Sequence, residues 1–363
     1  MPRIVLPHRS FAAGAALLLS SLFFGAGCSG PAGTTDTASS PGATNSCSQV
    51  SSPFSTDDAT DSVDYTDLAA KLGPVPAPPS GASFGSIMKF LGNQYWTALA
   101  KGQTERAQKY GLPLDVQAAA SESDQVGQLN SAETMLNKGY KAILASPQTD
   151  TNLCPAVEKA EAANRLVINV NDAVFPNAQR WVGPNQIQNG ITAAKYLIGK
   201  LPAGAKVAVI QGQAGVYAAK QRTKGFTDTA KQGGLDVVAS VPGDWDVQKA
   251  RDAATSIIRQ TPDVAAFYCN NDTMALGVVE AVKAAGKRGK IMIIGTDGIA
   301  DAYKAIRAGD LTATVDSYPE LTGQVAVDVA VRILGGQNVP RAVYTPQALI
   351  TSENVDTPAP TLS

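Results

Sequence analysis

From Ala82 onward the chain alternates short runs rich in Val and Ile with stretches of helical period, and this alternation restricts the fold more than any other property of the sequence. Strands that lead into helices and then into further strands make βαβ units, whose strands pair in parallel and are buried on both faces. The spacing predicts strands at Ser83–Phe90, Leu114–Ala118, Ala142–Ala145, Leu166–Val170, Lys206–Gln211, Val237–Val241, Ala265–Cys269 and Ile291–Ile294. One predicted helix opens near Asp272, with Met274, Val278, Ala281, Val282 and Ala285 on its inner face. Another covers Gln186–Lys200, with Ile187, Ile191, Ala194 and Ile198 inward. Before it, Trp181-Val182-Gly183-Pro184 reads as a strand with no helix ahead of it and divides the alternation into two similar halves. A chain of 363 residues, 44% hydrophobic and 17% charged, has enough apolar side chains for a large core in two such lobes.

The ends of the predicted strands carry the chemistry. Tyr268-Cys269 runs into Asn270-Asn271-Asp272, Ile293-Ile294 into Asp297-Gly298, and Leu166–Val170 into Asn171-Asp172. In an open parallel sheet, polar groups just past the carboxyl ends of strands face the ligand crevice. An ionised Asp297 offers several acceptor positions and no donor, which suits a ligand rich in hydroxyls, although Asp297-Gly298 is also a common turn. Asn271 donates and accepts at once and is assigned to the ligand, while Asp272 is assigned the N-cap of the helix that follows. Trp96 and Trp245 offer indole faces for the apolar C–H face of a hydroxyl-bearing ring, with core packing as the alternative for each. Tyr95 is a secondary candidate beside Trp96, and Asn93 either bonds ligand or caps a helix.

At the N-terminus, Arg3 and Arg9 precede an apolar run from Phe11 to Phe24 that is too short for a stable membrane span. This pattern is an export signal over residues 1–27. It ends in Gly25-Ala26-Gly27-Cys28, which resembles the lipobox of bacterial lipoproteins, with Cys28 as the lipidated residue and Gly25 where Leu is usual; a plain secretory signal is the alternative. Residues 28–81, rich in Ser, Thr, Gly, Pro and Ala, read as a flexible tether. One short helix is predicted inside it from Asp64 to Leu72, stopped by the Pro-rich segment that follows.

Several function classes drop out. The one histidine, His8, lies in the signal, so the mature chain lacks the imidazole of a Ser-His-Asp relay, a Cys-His pair or a His zinc site. Cys47, Cys154 and Cys269 lack zinc or iron–sulfur spacing, and neither a metal nor a cofactor is expected. Outside the cytoplasm a pair can oxidise; Cys47 with Cys154 is favoured, and Cys269 reads as a buried thiol. Loss of the signal removes two of the 30 basic residues and none of the 31 acidic ones, and nothing points to nucleic acid. The glycines of Gln211–Gly215 do not form a dinucleotide fingerprint, and no Walker motif occurs, which argues against an enzyme.

Seven ordered segments carry a resemblance: LGNQYWTALAKG, INVND, QGQAGVYAAKQRTKGF, GDWD, NNDTMALG, IGTDG and LTATVDSYPELTG. Over about Ala82–Thr351 the chain resembles the ribose-binding-protein-like solute receptors of bacterial ABC importers. The resemblance implies an α/β fold of two Rossmann-like lobes joined by a three-crossover hinge. The first lobe would be 82–183 plus 318–345 and the second 184–317 plus 346–354, leaving 355–363 as a tail. It also implies a monomer outside the cytoplasm, with a membrane permease and a separate ATPase as partners; the lipid expected on Cys28 would hold it at the cell membrane. A signalling receptor of the same fold is the alternative, and a lac-repressor-type regulator would need a DNA-binding helix pair where this chain has a signal.

Residue by residue, the resemblance gives Asp297 to sugar hydroxyls, and places Asn171 and Asp172 where relatives carry Asp and then Arg. Lys89 stands where relatives have a small hydroxyl residue. Lys220 stands where ribose receptors have an arginine, and Arg222 either compensates for it or pairs with a surface carboxylate. Asp316 and Ser317 fall where relatives place a glutamine. The implied ligand is a neutral pentose, hexose, polyol or cyclitol, with a keto or acidic ligand beside Lys89 as the other possibility.

Overall fold

In a computed structural model the described residues are Cys47, Phe54, Thr56, residues 61–357 and residues 359–362. The expected signal, Cys28 and most of the expected tether lie outside them. Two sheets organise the rest. The first has the order β1 (Ser62–Asp64), β12 (Ala342–Thr345), β6 (Trp181–Pro184), β5 (Leu166–Val170), β4 (Ala142–Ala145), β2 (Phe84–Phe90), β3 (Leu114–Ala119), and every pairing in it is parallel. The second has the order β13 (Ala348–Thr351), β11 (Ala313–Asp316), β10 (Met292–Asp297), β9 (Ala266–Cys269), β7 (Lys206–Gln211), β8 (Asp236–Pro242), parallel except for β13 on β11. The central strands β4, β6 and β9 are buried along their whole length, as helices on both faces require.

The helices are α1 (Tyr65–Leu72), α2 (Gln94–Lys109), α3 (Gln125–Asn137), α4 (Cys154–Ala162), α5 (Gln186–Ile198), α6 (Tyr217–Gln232), α7 (Val247–Gln260), α8 (Asp272–Ala284), α9 (Ala300–Arg307) and α10 (Pro319–Leu334). The chain passes from the first sheet to the second between β6 and α5, returns between β11 and α10, and crosses again between β12 and β13. Three crossings side by side make a hinge between two lobes. Within the second lobe, α5 and α6 pack backbone to backbone: a Cβ on Gly190 would overlap the Arg222 carbonyl, and one on Gly225 would overlap that of Ile187. This close approach seats Arg222 beside the hinge.

Two expectations change. Residues 62–81 do not belong to a free tether. The short β1 pairs with the edge of β12, Ser62 opposite Ala342, and α1 buries Leu68 completely. The Tyr65 hydroxyl donates to Asp328 at 2.6 Å, joining Arg106 and Tyr110 on the same buried carboxylate. The edge strand's unpaired backbone groups and one buried leucine dock a segment whose composition alone is tether-like. The second change is at β10, which continues to Asp297 because Gly295, Thr296 and Asp297 keep pairing with Thr314, Val315 and Asp316. Further back, a disulfide joins Cys47 to Cys154 at the start of α4, with Cα atoms 4.9 Å apart, and Cys269 is a buried free thiol.

Candidate functional site

Lys89 lies in β2 at a break in register, where Met88 faces Ala118 and Phe90 faces the next residue, Ala119. A bulge of this kind re-aims a side chain next to a site. The Lys89 ammonium is completely buried, 2.5 Å from Asp172 Oδ2 and 3.8 Å from Glu122 Oε2. It also lies 5.5 Å from the Trp96 ring of its own lobe and 5.6 Å from the Trp245 ring of the other. Burial works against this charge, but the Asp172 and Glu122 carboxylates outweigh it and hold the lysine above its ordinary value.

Asn93 caps α2, its Oδ1 accepting from the Tyr95 backbone, and its amide donates to Glu122 Oε1 at 3.0 Å. Trp96 Nε1 donates to the same oxygen at 3.2 Å. Asn171, held at a left-handed φ of 63° just past β5, donates to the Tyr95 hydroxyl at 2.8 Å and accepts from Gln186 at 2.7 Å. Gln186 in turn accepts from Arg222 Nε at 2.7 Å. A chain of side chains therefore runs from Tyr95 through the hinge to Arg222.

In the second lobe Arg222 is 2% exposed and donates through Nη1 to the Asn270 carbonyl at 2.5 Å and to Asp297 Oδ1 at 3.1 Å. Burial drives the Asp297 carboxyl well above the usual range, and Arg222 opposes this only in part. The cap of α8 is Asn271, not Asp272: Asn271 Oδ1 accepts from Met274 N at 2.9 Å, which leaves its amide for the cleft. Asp272 instead accepts from the backbone of Gly298 and Ile299 and from Thr314, fixing the turn that follows Asp297. Trp245, at φ 63° after Asp244 at 51°, lies flat on Gly212, whose missing side chain makes room for the indole.

These side chains surround a narrow cavity between the lobes. Lys89, Asn93, Tyr95, Trp96, Glu122, Asn171 and Asp172 line it from one lobe, and Arg222, Trp245, Asn271 and Asp297 from the other. Two expected members are elsewhere. Lys220 is 55% exposed and pairs with Asp150 of the first lobe at 3.0 Å, whereas Arg222, two positions later on α6, is buried and lines the cavity. Ser317 is buried in the second crossing behind Asp297, where its hydroxyl meets Asn189 at 3.4 Å. Glu122 and Gln186 were not anticipated. Glu122 follows β3 as Asn171 follows β5, so the strand-end rule applied to that strand points to its segment.

The lobes meet around this cavity. Gln94 of α2 and Asp301 of α9 exchange two hydrogen bonds, at 2.5 and 3.2 Å, and Ala218 N donates to the Asp172 carbonyl at 3.0 Å. Among the described residues no group of three or more His, Cys, Asp or Glu side chains is placed to hold a metal, and no helix is long and apolar enough to cross a membrane.

Comparison with known proteins accords with this geometry. Residues 84–338 match the model of the periplasmic binding protein domain. The chain is 36% identical over 262 residues to the D-allose-binding periplasmic protein of Escherichia coli K12, covering 69% of this chain and 84% of that protein. It is 32% identical over 272 residues to a ribose import binding protein of Bacillus subtilis 168, covering 75% and 88%. A solved structure of an ABC transporter periplasmic solute binding protein from Actinobacillus succinogenes, with bound D-allose, superposes with a TM-score of 0.71 at 27% identity, covering 76% of this chain and 99% of that one.

Proposed function

This chain belongs to the periplasmic binding protein domain family, and on that premise we propose that it is the extracytoplasmic receptor of an ABC importer, closing on a small neutral sugar or sugar alcohol. The observation that carries this reading is the pair of indoles, Trp96 and Trp245, presented by opposite lobes around a cavity whose other walls are amides, carboxylates, one phenol and two cations already paired with carboxylates. Rings with apolar C–H faces and hydroxyl edges match such walls. The charge balance speaks against an acidic ligand. The Lys89 ammonium is held by Asp172 and the Arg222 guanidinium by Asp297, so no cation is left for a ligand carboxylate, which would add an unpaired buried charge. The relatives named for D-allose and ribose support the class, not the individual sugar.

The protein's part is non-catalytic: it binds, closes by hinge rotation and presents the ligand to a permease driven by a separate ATPase. The lipid anchor is a further part of the proposal. It rests on the Arg3 and Arg9 flank, the apolar run and the small residues before Cys28, and a Cys28→Ser chain released from membranes would support it.

Calorimetric titration with pentoses, hexoses, polyols and cyclitols tests the binding reading, with Asp297→Ala as the control. We expect at least one neutral member to bind and the variant to lose it. Heat from no member of the panel would sink the reading.

A further inference from the structure

Three residues, Asn93, Glu122 and Trp245, line both the inner cavity and a larger cleft of about 1670 Å³, counting open solvent, outside it. They form the throat between the two. Asn93 is satisfied by its cap and by Glu122. The other two each carry a buried polar atom with no hydrogen-bond partner among the described residues: Glu122 Oε2, whose one polar neighbour is the Lys89 ammonium at ion-pair distance, and Trp245 Nε1.

Neither atom is loosely placed. Glu122 is fixed through its other oxygen by Asn93 and Trp96, and its Oε2 lies 3.8 Å from Lys89, beyond hydrogen-bond reach. Trp245 is fixed against Gly212 by two successive left-handed backbone positions, a conformation that folded chains keep where something depends on it. Buried groups in native proteins are almost always paired, so a lone acceptor from one lobe and a lone donor from the other, at one throat, point to a shared partner.

Resting on the receptor reading above, we propose that Glu122 and Trp245 form a hydroxyl-selecting subsite at the throat, in which one free ligand hydroxyl donates to Glu122 Oε2 and accepts from Trp245 Nε1. Of the common ring substituents, a hydroxyl does both through a single atom, as one shared partner requires. An ammonium leaves the indole unpaired, a carboxylate or phosphate faces another carboxylate, and an ether or glycosidic oxygen leaves Glu122 unpaired. The outer cleft is therefore not a place for a second sugar unit. The site takes a free monosaccharide or polyol and rejects glycosides substituted at the outward position.

The test is a double-mutant cycle by titration calorimetry on the whole exported protein. The probe is the tightest binder of the panel, D-allose and D-ribose included, with its set of monodeoxy and monofluoro analogues. Glu122→Gln keeps the acceptor used by Asn93 and Trp96 and places a donor where Oε2 was. We expect the variant to lose roughly tenfold to a hundredfold in affinity for the parent sugar. Deleting one particular hydroxyl should cost the wild type a similar factor and the variant almost nothing further. The fluoro analogue at that position, an acceptor only, should bind the variant better than the wild type. Should Glu122→Gln not fold, Trp245→Phe, which removes the donor and keeps the ring, must show the same position dependence with a smaller loss. Equal multiplication of losses at every position, or unchanged affinity, overturns the subsite while leaving the receptor reading intact. A wild type that binds nothing in the panel overturns both.

Discussion

Each lobe contributes one buried cation to the site, and the two are held in different ways. Arg222 is spread over three oxygens, a carboxylate, a main-chain carbonyl and the Gln186 amide, and through Gln186 it reaches across the hinge to Asn171. Lys89 is a point charge placed against two carboxylates and between two indoles. The planar fork fixes geometry, whereas the ammonium mainly balances charge. The second lobe therefore acts as the rigid wall of the site and the first as its charge-tuned wall.

The largest expected effect tests the rigid wall. Arg222→Met strands the Asp297 carboxylate and removes three hydrogen bonds, so sugar affinity should fall by more than about a hundredfold. Acid should not restore it, because no proton replaces the fork. Lys89→Met leaves Glu122, which burial already holds above the usual carboxylate range, without its ammonium, and a proton on Glu122 can take over the lost charge balance. We expect a loss of roughly tenfold at pH 7.5 that shrinks at pH 5.5. Calorimetry of both variants at the two pH values would break the comparison if both, or neither, recovered in acid.

How much of each wall was legible follows the same division. The second lobe's residues lie in short motifs directly after apolar strands, NNDTMALG and IGTDG, so Asn271 and Asp297 could be read from residue order alone. What that order did not give was the division of roles between Asn271 and Asp272, since either residue can cap α8 and only the turn at Gly298 and Ile299 shows where the carboxylate is needed. Lys220 and Arg222 differ by two positions on a helix, about 200° of rotation, and the sequence offered no reason to prefer the second. In the first lobe, the strand-end rule points to the segment after β3 but not to Glu122 itself, which is one of several polar residues in a run that looks like any loop. The docking of β1 and α1 depends on the edge of β12, which comes some 280 residues later in the chain. Long-range pairing of so few residues leaves almost no local trace.

The lobes also differ in how they hold buried carboxylates away from the ligand. Asp328 in the first lobe is met by the Arg106 guanidinium at 2.6 and 2.8 Å. In the second, Asp316 has only the Tyr303 hydroxyl and the Tyr318 backbone, both at 2.6 Å, and burial pushes it up to about 7. An aspartate in the unfolded chain titrates near pH 4. Between these values the folded protein holds a proton that the unfolded chain releases, so this contribution to stability is complete below about pH 4 and is lost as the pH rises through 7. Thermal melts should therefore show a higher Tm at pH 5.5 than at pH 8, and Asp316→Asn should flatten the difference by several degrees. A variant with the same pH slope as the wild type would place the effect elsewhere.

The smallest expected effect concerns the contact that joins the two walls at the rim. Gln94 and Asp301 make two hydrogen bonds between the lobes, but both side chains are near solvent and regain water when the cleft opens. Such bonds contribute little net free energy, commonly about 1 kcal/mol or less. Gln94→Ala should then weaken sugar binding by only about two- to fivefold, and mostly through faster release, since losing the rim contact lowers the closed population without touching the ligand. Stopped-flow dissociation of the wild type and the variant measures this directly. A loss above about thirtyfold would mean that closure is held at the rim and not by the ligand bridging Asp297 and the Lys89 cluster, and the contrast between a rigid and a charge-tuned wall would then matter less than the latch between them.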